Sequence, residues 1–92
     1  MDLLTEEQIA ERLGGLSGWE RSGDSIEHVA TLKDFKAAML YVGAVAYLAE
    51  AANHHPDISV AWNKVTLTLS THSAGGLTSN DFDLAGRINA IG

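Results

Sequence analysis

The chain has 92 residues, 46% hydrophobic and 20% charged, and a formal net charge of −6 from twelve acids and six bases. That length holds one domain, expected to span 1–92, with a modest core that buries only ~60–65% of the unfolded surface and gains from self-association. The absence of cysteine excludes disulfides, thiolate catalysis and Cys-ligated zinc. Lys33, Lys36, Lys64, Arg12, Arg21 and Arg87 are too scattered to make the basic face that nucleic acid requires.

Met1-Asp2-Leu3-Leu4-Thr5-Glu6-Glu7 is acidic where a signal peptide is basic. The longest uncharged apolar run, Ala37 to Ala49, is short for a bilayer span, so the expectation is a cytoplasmic protein with no membrane partner. Thr5-Glu6-Glu7-Gln8 has the form of a capping box, Ile9 and Leu13 repeat at helical spacing, and Gly14-Gly15 stop the helix. Trp19-Glu20-Arg21 enters a strand, Gly23-Asp24 turns it, and Ser25 to Leu32 runs as a second strand. In that second strand Ile26, His28, Ala30 and Leu32 alternate with more polar positions.

Asp34 opens a longer helix, with a carboxylate at the positive end of its dipole. Phe35, Ala38, Met39, Val42, Ala46 and Ala49 are read as its core-facing stripe, made slim by small residues. Pro56 disfavours a helical His55, so the helix ends near Asn53 or His54.

The next stretch reads as a hairpin with Asn63-Lys64 as its loop, since Asn tolerates positive φ. In that register Trp62 faces Val65, Val60 faces Leu67 and Ile58 faces Leu69 on one side. Ser59 faces Thr68 and Ala61 faces Thr66 on the other, and His55 falls opposite His72. Ser73-Ala74-Gly75-Gly76 is a loop. Thr78-Ser79-Asn80-Asp81 then caps a last helix with Phe82, Ala85, Ile88 and Ile91 on its apolar side. The predicted class is α+β, a four-stranded antiparallel sheet with three helices packed on one face, in the order α-β-β-α-β-β-α.

Three of the four histidines gather near Glu50: His54, His55 and His72. Glu50 and His54 are four residues apart and share a helix face if the last turn persists, so the carboxylate supports a charged imidazole. His72 sits instead among the hydroxyls Ser70, Thr71 and Ser73. Two imidazoles in different surroundings suit paired acid and base work, such as elimination of water. Polar residues crowded at loops point to a site, whereas a single His such as His28 on its strand reads as structural. Trp62 reads as core or site wall, and Asp81 reads equally as helix cap or site member. Three His and a carboxylate match zinc in number. Adjacent His54-His55 nonetheless lacks the His-x-x-x-His spacing of zinc hydrolases, so no metal is expected.

Glu50, three residues, His54-His55-Pro56, then Trp62, His72 and Asp81 resemble the signature of the pterin-4a-carbinolamine dehydratases (4a-hydroxytetrahydrobiopterin dehydratases). Trp62-Asn63-Lys64-Val65 and Leu69-Ser70-Thr71-His72 resemble that family too. The resemblance implies dehydration of a 4a-hydroxytetrahydropterin to quinonoid dihydropterin, without metal or cofactor. His54 and His72 match the family's acid and base, His55 the histidine that orients the pterin, and Glu50 the supporting acid. Asn53, His54, His55 and Ser70, Thr71, His72, Ser73 match the two segments that line the substrate. Asn53 departs from the Asp of the best-known animal members. The resemblance further implies a homodimer or homotetramer and a link to an aromatic amino-acid hydroxylase. Vertebrate members also serve as dimerisation cofactors for a homeodomain transcription factor, so a protein-binding module with a secondary or vestigial pterin site is the alternative.

Overall fold

The computed structural model describes residues 2–91. Helix α1 (Glu6–Gly14) starts at Thr5, whose hydroxyl accepts from the Gln8 N–H while the Gln8 side chain accepts from the Thr5 N–H, the reciprocal cap expected. Strands β1 (Trp19–Ser22) and β2 (Ser25–Thr31) form a hairpin about Gly23, whose φ of 59° sits where glycine carries no Cβ penalty. Arg21 ties this hairpin to α1 through a two-pronged contact with Glu6.

Helix α2 (Phe35–Ala52) is capped by Asp34, whose carboxylate accepts from the Ala37 N–H at 2.8 Å. Strands β3 (Asp57–Ala61) and β4 (Lys64–Leu69) follow, then α3 (Ser79–Asn89). The sheet is antiparallel in the order β1-β2-β4-β3, which confirms the α+β class and the α-β-β-α-β-β-α order. The two central strands carry the fully buried Ile26, Val65, Leu67 and Leu69. Ala38, Val45 and Ala49 of α2, and Phe82, Leu84, Ala85 and Ile88 of α3, close over them.

Two expectations are corrected. The hairpin loop is Trp62-Asn63, one residue earlier than expected. Val60 therefore pairs with Val65, Ile58 with Leu67 and Asp57 with Thr68. The cause is a pair of local choices. Trp62 takes the positive φ, 54°, at the first loop position, while Asn63 takes the second, its amide donating to the Leu32 carbonyl at 2.9 Å. Each partner moves by two residues, so the side chains from Ile58 to Ala61 keep the faces assigned to them, while Trp62 leaves the ladder for the loop. Pairing starts at Asp57, and His55 is not set opposite His72.

The second correction is the face of α2. Ala38, Val45 and Ala49 are buried, with Tyr41, Val42 and Leu48 partly so, whereas Phe35, Met39, Leu40 and Tyr47 are exposed. A helix that is apolar on all sides gives periodicity no face to choose. Packing decides instead, and the slim Ala38 and Ala49 let the helix approach the sheet. At 18 residues and a mean hydropathy of 1.3, α2 has the length and apolarity of a marginal membrane span. The burial of Ala38, Val45 and Ala49 in the core accounts for part of that composition.

Candidate functional site

The end of α2 places the first histidine. Asn53 adopts the left-handed conformation (φ 50°, ψ 44°), which Asn tolerates better than most residues. Its N–H donates to the Glu50 carbonyl at 3.2 Å, and the His54 N–H donates to the Ala49 carbonyl at 3.0 Å. These are the two bonds of a Schellman motif, so the backbone of His54 is part of the helix terminus itself.

The start of α3 supplies its partner. Thr78 is the N-cap, and its N–H donates to Asp81 Oδ2 at 2.9 Å. Thr71 Oγ1, from the turn after β4, donates to the same oxygen at 2.8 Å. With that proton committed, the 2.8 Å contact between the two threonine hydroxyls runs from Thr78 to Thr71. The other oxygen, Asp81 Oδ1, stands 2.5 Å from His54 Nε2. Asp81 and Thr78 are wholly buried and Thr71 nearly so. An unpaired buried carboxylate costs several kcal/mol. Here it accepts from two donors and the imidazole, at the positive end of a helix. No buried side-chain nitrogen or oxygen among the described residues lacks a partner.

A carboxylate stripped of its proton can only accept, so the His54 ring carries its hydrogen on Nε2 when neutral. Nδ1 then presents a lone pair, and it has no hydrogen-bond partner among the described residues. The His54 side chain is 11% exposed. Beside it lies a cavity of about 170 Å³ lined by Ala52, His54, Asn80, Asp83, Leu84 and Arg87.

The remaining expected site residues are distributed unevenly. Glu50 binds His55, not His54: Oε2 and Nε2 are 2.5 Å apart, and both side chains are exposed. The helix stops at Ala52 and the left-handed Asn53 swings His54 off the Glu50 face, so the four-residue spacing no longer brings those two together. His72 and Ser73 are exposed in the turn that Thr71 and Gly76 close. Ser70 donates its hydroxyl to the Asp24 carbonyl at 2.8 Å. Trp62 sits at the hairpin tip, the far end of β3 from His55 and separated by a five-residue strand of roughly 17 Å, so it is no wall of this site.

Thus Asp81 and Thr71 join the Asn53–His55 and Ser70–Ser73 segments, while no ring of His54, His55 or His72 bonds to or stacks on another among the described residues. No three His, Cys, Asp or Glu side chains among them are grouped to hold a metal. Sequence reasoning missed Thr78 as a member of the cluster. The signal was present in the Thr78-to-Asp81 spacing, read there only as a cap.

Two larger cavities, about 320 and 430 Å³, lie beside Trp19 and beside His28 and Tyr41. Size alone does not make them the reaction site. His28 is held there structurally, stacked on Trp19 at 5.2 Å with Nδ1 2.6 Å from the Gly18 carbonyl. Burial raises the Tyr41 hydroxyl above its ordinary range. Neither cavity sets an imidazole against a buried acid.

The family model described as Pterin 4 alpha carbinolamine dehydratase matches residues 2–91. A Roseiflexus castenholzii protein provisionally named pterin-4-alpha-carbinolamine dehydratase is 56% identical over 89 residues, 97% of this chain and 96% of that one. A Brucella melitensis crystal structure titled transcriptional coactivator/pterin dehydratase superposes with a TM-score of 0.93 at 37% identity, covering 98% of each chain. A pterin dehydratase-like protein described as a RuBisCO assembly factor of the alpha-carboxysome shares the fold, with a TM-score of 0.64 at 19% identity over 79% of this chain and 84% of its own.

Proposed function

The chain belongs to the pterin-4a-carbinolamine dehydratase family, and from that premise we propose that it dehydrates a 4a-hydroxytetrahydropterin to quinonoid dihydropterin and water. The observation that carries this reading is the half-engaged imidazole of His54, one nitrogen held by buried Asp81 and the other unengaged beside a cavity. The reaction removes a proton from N5 and delivers one to the 4a hydroxyl. The C4a–O bond breaks, water leaves, and the C4a–N5 double bond forms.

In this reading His54 Nδ1 takes the N5 proton, and Asp81 stabilises the imidazolium that results. His72, exposed on the turn anchored by Thr71, protonates the departing hydroxyl. His55, steadied by Glu50, orients the ring. A positioned imidazole supplies ~10²–10⁴-fold in such a step. The substrate arises from an aromatic amino-acid hydroxylase in the same cytoplasm.

The test generates the carbinolamine in situ and follows quinonoid dihydropterin by absorbance. His54→Ala and His72→Ala should each lose ~10²–10⁴-fold. His28→Ala should retain turnover. A wild-type rate no better than buffer removes the enzyme reading, and His28→Ala as damaging as His72→Ala removes the site assignment.

The exposed side of α2 supports self-association into a dimer or tetramer. Phe35, Met39, Leu40 and Tyr47 line an 18-residue helix whose other side is in the core, and apolar surface of that extent marks an interaction face. Leu40→Glu with Tyr47→Glu should give a smaller species by analytical ultracentrifugation. A wild type that sediments as a monomer at all concentrations excludes self-association. The same face is what favours the second reading, a protein-binding module, if turnover is absent.

A further inference from the structure

We infer that Asn53 is a positioning residue whose left-handed backbone, and not its amide, delivers His54 to Asp81 and His55 to Glu50. The inference rests on the dehydratase reading for its effect on rate, though not for its geometry. Among the described residues only two besides glycine have positive φ: Trp62 in the hairpin loop, and Asn53 directly before the paired histidines. Outside glycine such a conformation is costly, and it persists where the surroundings require it.

The Asn53 side chain is exposed, and its amide makes no hydrogen bond among the described residues. Its backbone is fully engaged. The Asn53 N–H donates to the Glu50 carbonyl and the His54 N–H to the Ala49 carbonyl, bonds that need the left-handed turn between them.

A right-handed Asn53 would instead continue α2. Glu50 and His54, four residues apart, would then share a helix face, and the His54 ring would meet Glu50 in place of Asp81. Two acids thus compete for one imidazole, and the sign of a single φ chooses between them. Asp81 cannot follow the ring, because it is wholly buried and held by the Thr71 hydroxyl and the Thr78 N–H. Those two donors remain when His54 leaves, so the rival arrangement is not an unfolded one. Pro56 keeps His55 out of the helical region in either case.

The position therefore calls for a residue at ease with a φ of 50°. Glycine takes that conformation without penalty, and Asn and Asp take it more readily than other residues with a Cβ. The Asp expected at 53 from the family resemblance meets the same need, so the departure to Asn is conservative in this respect. An ordinary Cβ should tilt the balance toward the rival by about 5- to 30-fold, and a β-branched side chain by more.

The experiment compares wild type with Asn53→Gly, Asn53→Ala and Asn53→Val. The readouts are initial rates of carbinolamine dehydration and imidazole nitrogen NMR spectra of the free protein, at a pH where His54 is neutral. Asn53→Gly, which removes the amide and keeps the conformation, should match wild type in both. Asn53→Val should lower kcat about 5- to 30-fold with KM little changed, and Asn53→Ala should fall between. In the same order the fixed Nε2–H form of His54 should give way to a mixture of tautomers. A rise in KM shared by all three variants would make the amide a substrate contact and overturn the inference. A wild-type His54 spectrum in Asn53→Val would overturn it as well. If wild type turns over no carbinolamine, the dehydratase reading falls, and the His54 spectra alone decide the role of Asn53.

Discussion

Nε2 of His54 stands 2.5 Å from Oδ1 of Asp81, and this contact joins the end of α2 to the first turn of α3. The same carboxylate caps α3 through the Thr78 N–H. One side chain thus terminates a helix and sets the tautomer of a histidine, which ties the stability of the fold to the chemistry of the site.

Asp81→Asn should separate those two roles. Its amide carbonyl can still accept from the Thr78 N–H and from Thr71, two donors. That leaves the NH₂ facing His54, where a lone pair must replace the N–H, so the ring proton moves to Nδ1 and the base is lost. Initial rates of dehydration should fall ~10²–10⁴-fold, with a urea midpoint that drops less than for Asp81→Ala. A wild-type rate in Asp81→Asn would sink the orienting role.

Thr71→Val keeps the shape and removes one hydroxyl. Asp81 loses a donor and Thr78 loses its acceptor, in a spot that water does not reach. The cost should be ~1–3 kcal/mol by denaturant unfolding, with a smaller loss of turnover than Asp81→Asn. Unchanged stability would mean the threonine pair contributes nothing to the fold.

Trp62 offers a gain. It holds φ at 54° with 67% of its surface exposed, so its side chain buries little while its Cβ pays the left-handed penalty. Trp62→Gly should be stabilising by up to ~1 kcal/mol. Trp62→Ala keeps the Cβ and should show no such gain. A loss of stability in Trp62→Gly, measured by the urea midpoint, refutes the strain argument.

Acid titration should expose the Glu6–Arg21 pair. The hydrogen bond from Arg21, aided by its charge, lowers the Glu6 carboxyl below its ordinary value. A carboxyl depressed on folding adds stability above the unfolded value, and that contribution is lost as pH falls through the folded one. Wild type should therefore exceed Glu6→Gln in stability near neutrality, and the gap should close in acid. Both groups lie at the surface, so the gap should also shrink in high salt.

The elements were legible from local pattern. Capping at Thr5, Asp34 and Thr78 and the alternation through Ile26 and His28 all report on neighbours a few residues away, and each was found where expected. The hairpin loop was misplaced because Asn63 looked like the residue to take positive φ, while a distant acceptor, the Leu32 carbonyl, holds it in the second position. The face of α2 was misread because the helix is apolar on every side.

At the site, chain order alone put His54, His55 and Glu50 within one short stretch and supplied the family signature, since those depend on residue identity and spacing. Which acid each histidine meets was a matter of three dimensions. Asn53 turns the chain out of the helix, sending His55 back to Glu50 and His54 on to an aspartate 27 positions away. Spacing describes contacts within a continuous helix or strand. Where the backbone leaves regular structure, only the packed arrangement of the elements decides which groups meet.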